Sequence, residues 1–138
     1  MTVPSTASTD AWVLLSVIEG DSGSGASLED IVSAGDAANC ALFLFEELDG
    51  GLARLANAGL IVIRNKRVHA TDEAIDLYRR APVPYRSPII SIDNLAQGIA
   101  VLCESRSRLE ASPEPHFIVE EFVEACEAYL AKAYGISR

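Results

Sequence analysis

The sequence predicts a mainly α-helical chain carrying one small β-hairpin, an α+β arrangement. Apolar residues recur at spacings of three and four along successive segments, the signature of helices with one buried side. The stretch "LIVIRNKRVHA", residues 60 to 70, is instead short and β-branched, and Asn65 and Lys66 break it as a two-residue turn would. Clusters of Gly, Ser or Pro separate these segments. The 138 residues, 49% apolar and 22% charged, suit one compact domain, or one with a small appendage, and suffice to bury a core.

Taken in order, the polar residues 1 to 9 are expected to be disordered. From Asp10 onward Ala11, Leu14, Leu15 and Ile18 give the first helix, widened by Trp12 and Val13, with Thr9 or Asp10 as its cap. "GDSGSGAS", residues 20 to 27, reads as a mobile connection. Ser27 with Asp30 fits a capping box opening a second helix, whose stripe is Leu28, Ile31 and Val32. Gly35 leaves two ends open for it, at that glycine or near Asn39. Phe45, Leu48, Leu52 and Leu55 define the third helix, with Gly59 as a left-handed cap. Glu46, Glu47 and Asp49 suit its positive end. Gly50 and Gly51, costly inside a helix, imply either a close backbone approach or a locally loose turn. After the hairpin, Thr71 caps a fourth helix holding Ile75, Leu77 and Tyr78.

"APVPYRSP", with Pro82, Pro84 and Pro88, marks a stiff connector over residues 82–90 and the boundary of a domain spanning residues 10–81. Residues 91–138 then form two further helices. One carries Ile92, Leu95, Ile99 and Leu102. The last turns Phe122, Cys126, Tyr129 and Ala133 one way, with Glu120, Glu121, Glu124 and Glu127 on its remaining surface, and Gly135 closes it. Phe117, Phe122, Tyr129 and Tyr134 are read as core or interface.

Net charge is −9, unevenly spread. Nine carboxylates face Arg54 alone in residues 1–60, whereas Arg64, Lys66, Arg67, Arg79, Arg80 and Arg86 outnumber Asp72, Glu73 and Asp76 in the next thirty. So acidic a chain repels phosphate polymers at long range, and nucleic-acid contact requires the basic middle to gather on one exposed face. The ordinary reading of those cations is solvated, edge-protecting charge or pairing with the protein's own acidic helices.

The order helix, helix, helix, hairpin, helix over residues 10 to 80 resembles the winged helix-turn-helix family. The likeness rests on "SLEDIV" opening the second helix, on "EELDGGLARLANAGLI" as a third helix running into a strand, and on "IRNKRVHAT" as the wing. Leu52, Leu55, Gly59 and Leu60 look like the family's junction between third helix and wing. "D-x-x-N" at Asp36 and Asn39 is similar to small uncharacterised bacterial winged-helix proteins. The resemblance, which covers about half the chain, implies a winged helix-turn-helix, here followed by the two-helix C-terminal extension read above, and DNA binding with the third helix in the major groove. This third helix departs from that pattern, presenting Phe45, Glu46, Glu47 and Asp49 where base-reading residues are expected.

Catalysis finds little support. His69 and His116 lack partners at metal-ligand spacing, the acidic face of the last helix describes a solvated surface, and "GDSGSG" lacks both a preceding strand and the Gly-Lys-Ser/Thr ending of a phosphate loop. Cys40, Cys103 and Cys126, odd in number and widely spaced, read as buried free thiols. No bilayer-length apolar run or leader pattern is present, so a cytoplasmic protein without a membrane partner is expected. The expectation is therefore a non-enzymatic regulator without cofactor or metal. Its DNA-binding residues would be Arg64, Lys66, Arg67, Arg79, Arg80 and Arg54, touching phosphates through the basic wing. The alternative is an acidic winged-helix module that binds a protein partner or forms a homodimer and leaves DNA alone.

Overall fold

The computed structural model describes residues 5–39, 41–80 and 117–135. Its elements are α1 (Ser5–Gly20), α2 (Leu28–Asn39), α3 (Phe45–Asn57), β1 (Ile61–Arg64), β2 (Arg67–Ala70), α4 (Asp72–Arg80) and α5 (Val119–Tyr134). The mainly helical class with a small antiparallel hairpin is thus as expected. The connector at residues 82–90, the helix placed on Ile92 to Leu102, Cys40, Cys103 and His116 lie outside the described residues.

α1 is the hub, packing against α2, α3, α4 and β2. Val13, Leu14 and Val17 on it are fully buried, with Ile31 and Val32 from α2, Leu55 from α3, and Leu60 and Val68 from the hairpin. Burying each large aliphatic side chain of this kind contributes about 1.5–3 kcal/mol. Trp12 stacks on Phe43 at 3.9 Å between ring centroids, and its indole N–H donates to the Gly35 carbonyl at 2.9 Å. That contact fixes α1 to the middle of α2, which continues through Gly35 to Asn39.

α1 begins at Ser5, inside the stretch expected to be disordered, so Thr9 and Asp10 are interior residues and not caps. The buried Asp10 has a partner on α3, described below. The other helix signals act as expected. The Ser27 hydroxyl accepts the Asp30 N–H at 3.1 Å while the Asp30 carboxylate accepts the Ser27 N–H at 3.0 Å. α3 ends in a Schellman motif: the Gly59 N–H reaches the Ala56 carbonyl at 3.1 Å and the Leu60 N–H the Leu55 carbonyl at 2.9 Å. Gly59 takes φ of 79°, and no side chain is strained by it. Leu60 then enters the core beside Leu55 and leads directly into β1.

β1 and β2 pair in register Ile61 to Ala70 and Arg64 to Arg67. Asn65 and Lys66 both adopt positive φ, 53° and 61°, as a two-residue primed turn requires. The Thr71 hydroxyl donates to the Gly59 carbonyl at 3.0 Å and accepts the Ala74 N–H at 3.3 Å. One residue therefore ties the end of α3 to the start of α4.

Two further expectations change. The glycine-rich segment is an organised turn, because the Asp21 carboxylate accepts the Gly23 and Gly25 N–H groups at 2.8 and 2.9 Å. It delivers Ala26 to an antiparallel bridge with Val68, bonded both ways at 2.9 Å, so the hairpin gains a third, one-residue partner. On α5 the inward stripe is Phe122, Ala125 and Tyr129, while Cys126 is half-buried and Ala133 exposed. α5 packs chiefly on α2.

Candidate nucleic-acid interface

A two-residue primed turn projects its side chains outward, and Arg64, Lys66 and Arg67 are all exposed at the hairpin tip. They are not equally free. Lys66 reaches α5, where its Nζ lies 3.1 Å from one Glu121 carboxylate oxygen and 3.2 Å from the other, and 5.3 Å above the centre of the Phe117 ring. Glu121 is held in place because it also accepts the Ile118 N–H at 2.9 Å, at the start of α5. That backbone hydrogen bond, then Lys66, hold its carboxyl below the ordinary range.

Arg67 donates to the Gly25 carbonyl at 2.9 Å and stands 3.9 Å from the Asp30 carboxylate. Arg54, the only cation on α3, makes two hydrogen bonds to Asp10, at 2.7 and 2.9 Å. This is the fork geometry in which guanidinium binds carboxylate most firmly. Burial pushes the Asp10 carboxyl above its ordinary value, with Arg54 opposing the shift. Arg64 on β1 and Arg79 on α4 are exposed and make no ion pair among the described residues. Arg80 ends α4, and its side chain lies outside those described. Three of the expected phosphate contacts, Arg54, Lys66 and Arg67, are therefore drawn to α1, α5 and the α2 cap, and not to one common face.

The start of α3 is correspondingly acidic. Glu47 accepts the Leu44 N–H at 2.9 Å, satisfying one free amide at the positive helix end. Glu46 is exposed. Gly51 explains how α3 comes so near α1: a Cβ there would lie 2.9 Å from a Val13 methyl and 3.3 Å from the Asp10 carboxylate. Of the two readings of this glycine pair, close approach applies to Gly51.

α5 adjoins the start of α3, the hairpin tip and α2. Phe122 meets Phe45 at the start of α3, with centroids 5.7 Å apart. Glu121 and Phe117 hold the hairpin tip, and Lys132 pairs with Glu29 in the first turn of α2 at 2.8 Å. Tyr129 and Tyr134 both donate to Asp36 further along α2, at 2.5 and 2.7 Å. Between α5, α2 and the hairpin tip lies an open groove of about 370 Å³, lined by Leu28, Lys66, Phe117, Glu121 and Ala125 among others. The acidic spacing on the last helix was legible, but no local pattern marked Glu121 as the partner of Lys66, 55 residues away.

Among the described residues no group of His, Cys, Asp and Glu is arranged to hold a metal ion, and no helix is long and apolar enough to cross a membrane. The Cys126 thiol is free and half-buried; burial first, and Glu127 second, push its pKa up, away from a reactive thiolate. No protein-family model, curated protein or solved structure matches the chain.

Proposed function

We propose that this protein is a non-enzymatic interaction module of winged-helix type that acts by contacting another protein and not DNA. The observation that carries this reading is the engagement of Lys66 by Glu121 and Phe117, which sets the protein's own helix against the hairpin tip a wing would offer to phosphates. Arg54 and Arg67 have partners of their own, and the start of α3 presents Glu46 where bases would lie. The chain's net charge of −9 repels a phosphate backbone at long range. The reading is tested by mobility-shift titration of mixed duplex DNA at low salt, where no retardation is expected at micromolar protein.

A second reading, a DNA-binding regulator, is favoured by one observation: Arg64 and Arg79 are exposed without an ion pair among the described residues. It predicts retardation that weakens steeply with salt and disappears in Arg64→Ala and Arg79→Ala variants.

A further inference from the structure

We infer that the joined starts of α3 and α5 form a docking surface for a cationic, amphipathic helical segment of a partner protein. The inference rests on the interaction-module reading above and names the surface and the chemistry of its occupant.

Six large apolar side chains are well exposed among the described residues, and four of them, Leu44, Ile118, Val119 and Val123, belong to these two helix starts. Exposed apolar residues scattered singly mean little, whereas a concentration of them marks a binding site. The Phe45–Phe122 ring contact draws the two starts together. Leu44 adjoins Phe45 in sequence, as Val123 adjoins Phe122. On α5 the spacing Val119, Val123, Cys126, Leu130 follows one flank of the helix, next to the buried Phe122 and Tyr129. Cys126 and Leu130 are partly packed on the core, while Val119 and Val123 remain 45% and 44% exposed. The flank is thus an apolar strip, anchored at one end and open at the other.

Charge selects the occupant. Glu46 in the first turn of α3 and Glu120 beside Val119 in the first turn of α5 are exposed and make no ion pair among the described residues, while Glu124 faces the groove toward the hairpin. Lys66 and Lys132 are held against Glu121 and Glu29, on the side of α5 that faces the hairpin and α2. The charge left unpaired around the strip is therefore negative. Two copies of a chain with net charge −9 meeting here would set Glu46 and Glu120 against their equals, which disfavours a symmetric dimer. A helix with leucines on one side and lysines flanking them meets the valines and the carboxylates together.

The test uses the full chain and a fluorescently labelled Leu/Lys amphipathic helical peptide as probe. Its controls are a scrambled peptide of the same composition and a Leu/Glu peptide of the same pattern. The expected result is saturable binding of the patterned Leu/Lys peptide. A Val119→Ser, Val123→Ser double variant should weaken it at least about tenfold, as loss of central apolar anchors does. Glu46→Lys should steepen that loss and reduce the salt dependence. Both valines are exposed, so the double variant should keep the circular dichroism and Trp12 fluorescence of the parent. No binding of the patterned peptide, equal binding of the scrambled one, or equal affinity for parent and double variant would each overturn the proposal. So would a dimer in solution that the valine changes dissociate, since the occupant would then be a second copy. A negative peptide result with DNA still unbound removes this surface alone, whereas salt-sensitive DNA retardation removes the interaction-module reading itself.

Discussion

Replacing Arg54 with Ala should expose how much the Asp10 pair holds α1 and α3 together. The Asp10 side chain is 4% exposed and accepts two hydrogen bonds from a guanidinium that is itself 44% exposed. Removing one partner of a buried pair leaves an uncompensated charge, at a cost of about 3–5 kcal/mol when both are fully buried. Because water reaches the Arg54 side, the expected loss is about 3 kcal/mol, the low end of that range. The sign with pH is distinctive. The folded Asp10 carboxyl is already raised above 3.8, so the native state binds its proton more tightly than the unfolded chain does. Its contribution to stability therefore increases as pH falls through the raised folded value toward 3.8. Deleting Arg54 removes the two influences that lower that value, so the destabilisation should shrink in acid. Urea unfolding followed by the single tryptophan, Trp12, at neutral and acidic pH measures both quantities. A neutral-pH loss below about 0.5 kcal/mol, or a loss that does not diminish in acid, would refute the argument.

The two glycines inside α3 should behave oppositely. Gly51→Ala drives a methyl into Val13 at 2.9 Å and should cost about 1–3 kcal/mol in the same unfolding assay. Gly50→Ala brings its methyl 3.3 Å from the half-exposed end of the Arg54 side chain, which needs to yield only a few tenths of an ångström, and should be neutral or stabilising by up to about 1 kcal/mol. Gly59→Ala, which forces a side chain onto φ of 79°, should lower stability by about 1 kcal/mol. In alkali, burial and then Glu19 raise the Tyr78 phenol to about 12, so the unfolded chain loses its proton first and stability falls as pH rises from 10.0 to about 12. Tyr78→Phe should flatten that decline in thermal melts across this range, and an unchanged slope would assign the decline elsewhere.

Local signals were the legible part of the fold. Ser27 with Asp30, Gly59 after Leu55, the Asn65–Lys66 turn and Thr71 each act within a few residues of themselves, and each is found in its expected role. The misreadings are long-range. A carboxylate just before an apolar run looks like a cap, and only the position of Arg54, 44 residues on, shows Asp10 to be half of a buried pair. Ala26 carries no strand signal, since its bridge depends on Val68 coming alongside. The same limit governs the candidate site. Exposed cations on a hairpin were readable from the turn chemistry, but their availability was not, because Glu121, Phe117 and Asp30 are brought to them by packing of α5 and α2.

Lys66 and Arg67 at the hairpin tip face the protein's own Glu121 and Asp30, and on the reading proposed above the tip, Arg64 included, leaves duplex DNA alone. An amide proton–nitrogen correlation spectrum titrated with duplex DNA at low salt probes this residue by residue. The signals of Arg64, Lys66, Arg67 and the start of α3 are expected to stay where they are. Progressive, salt-sensitive shifts confined to those residues, with Glu121 moving as Lys66 leaves it, would show instead that the tip contacts DNA.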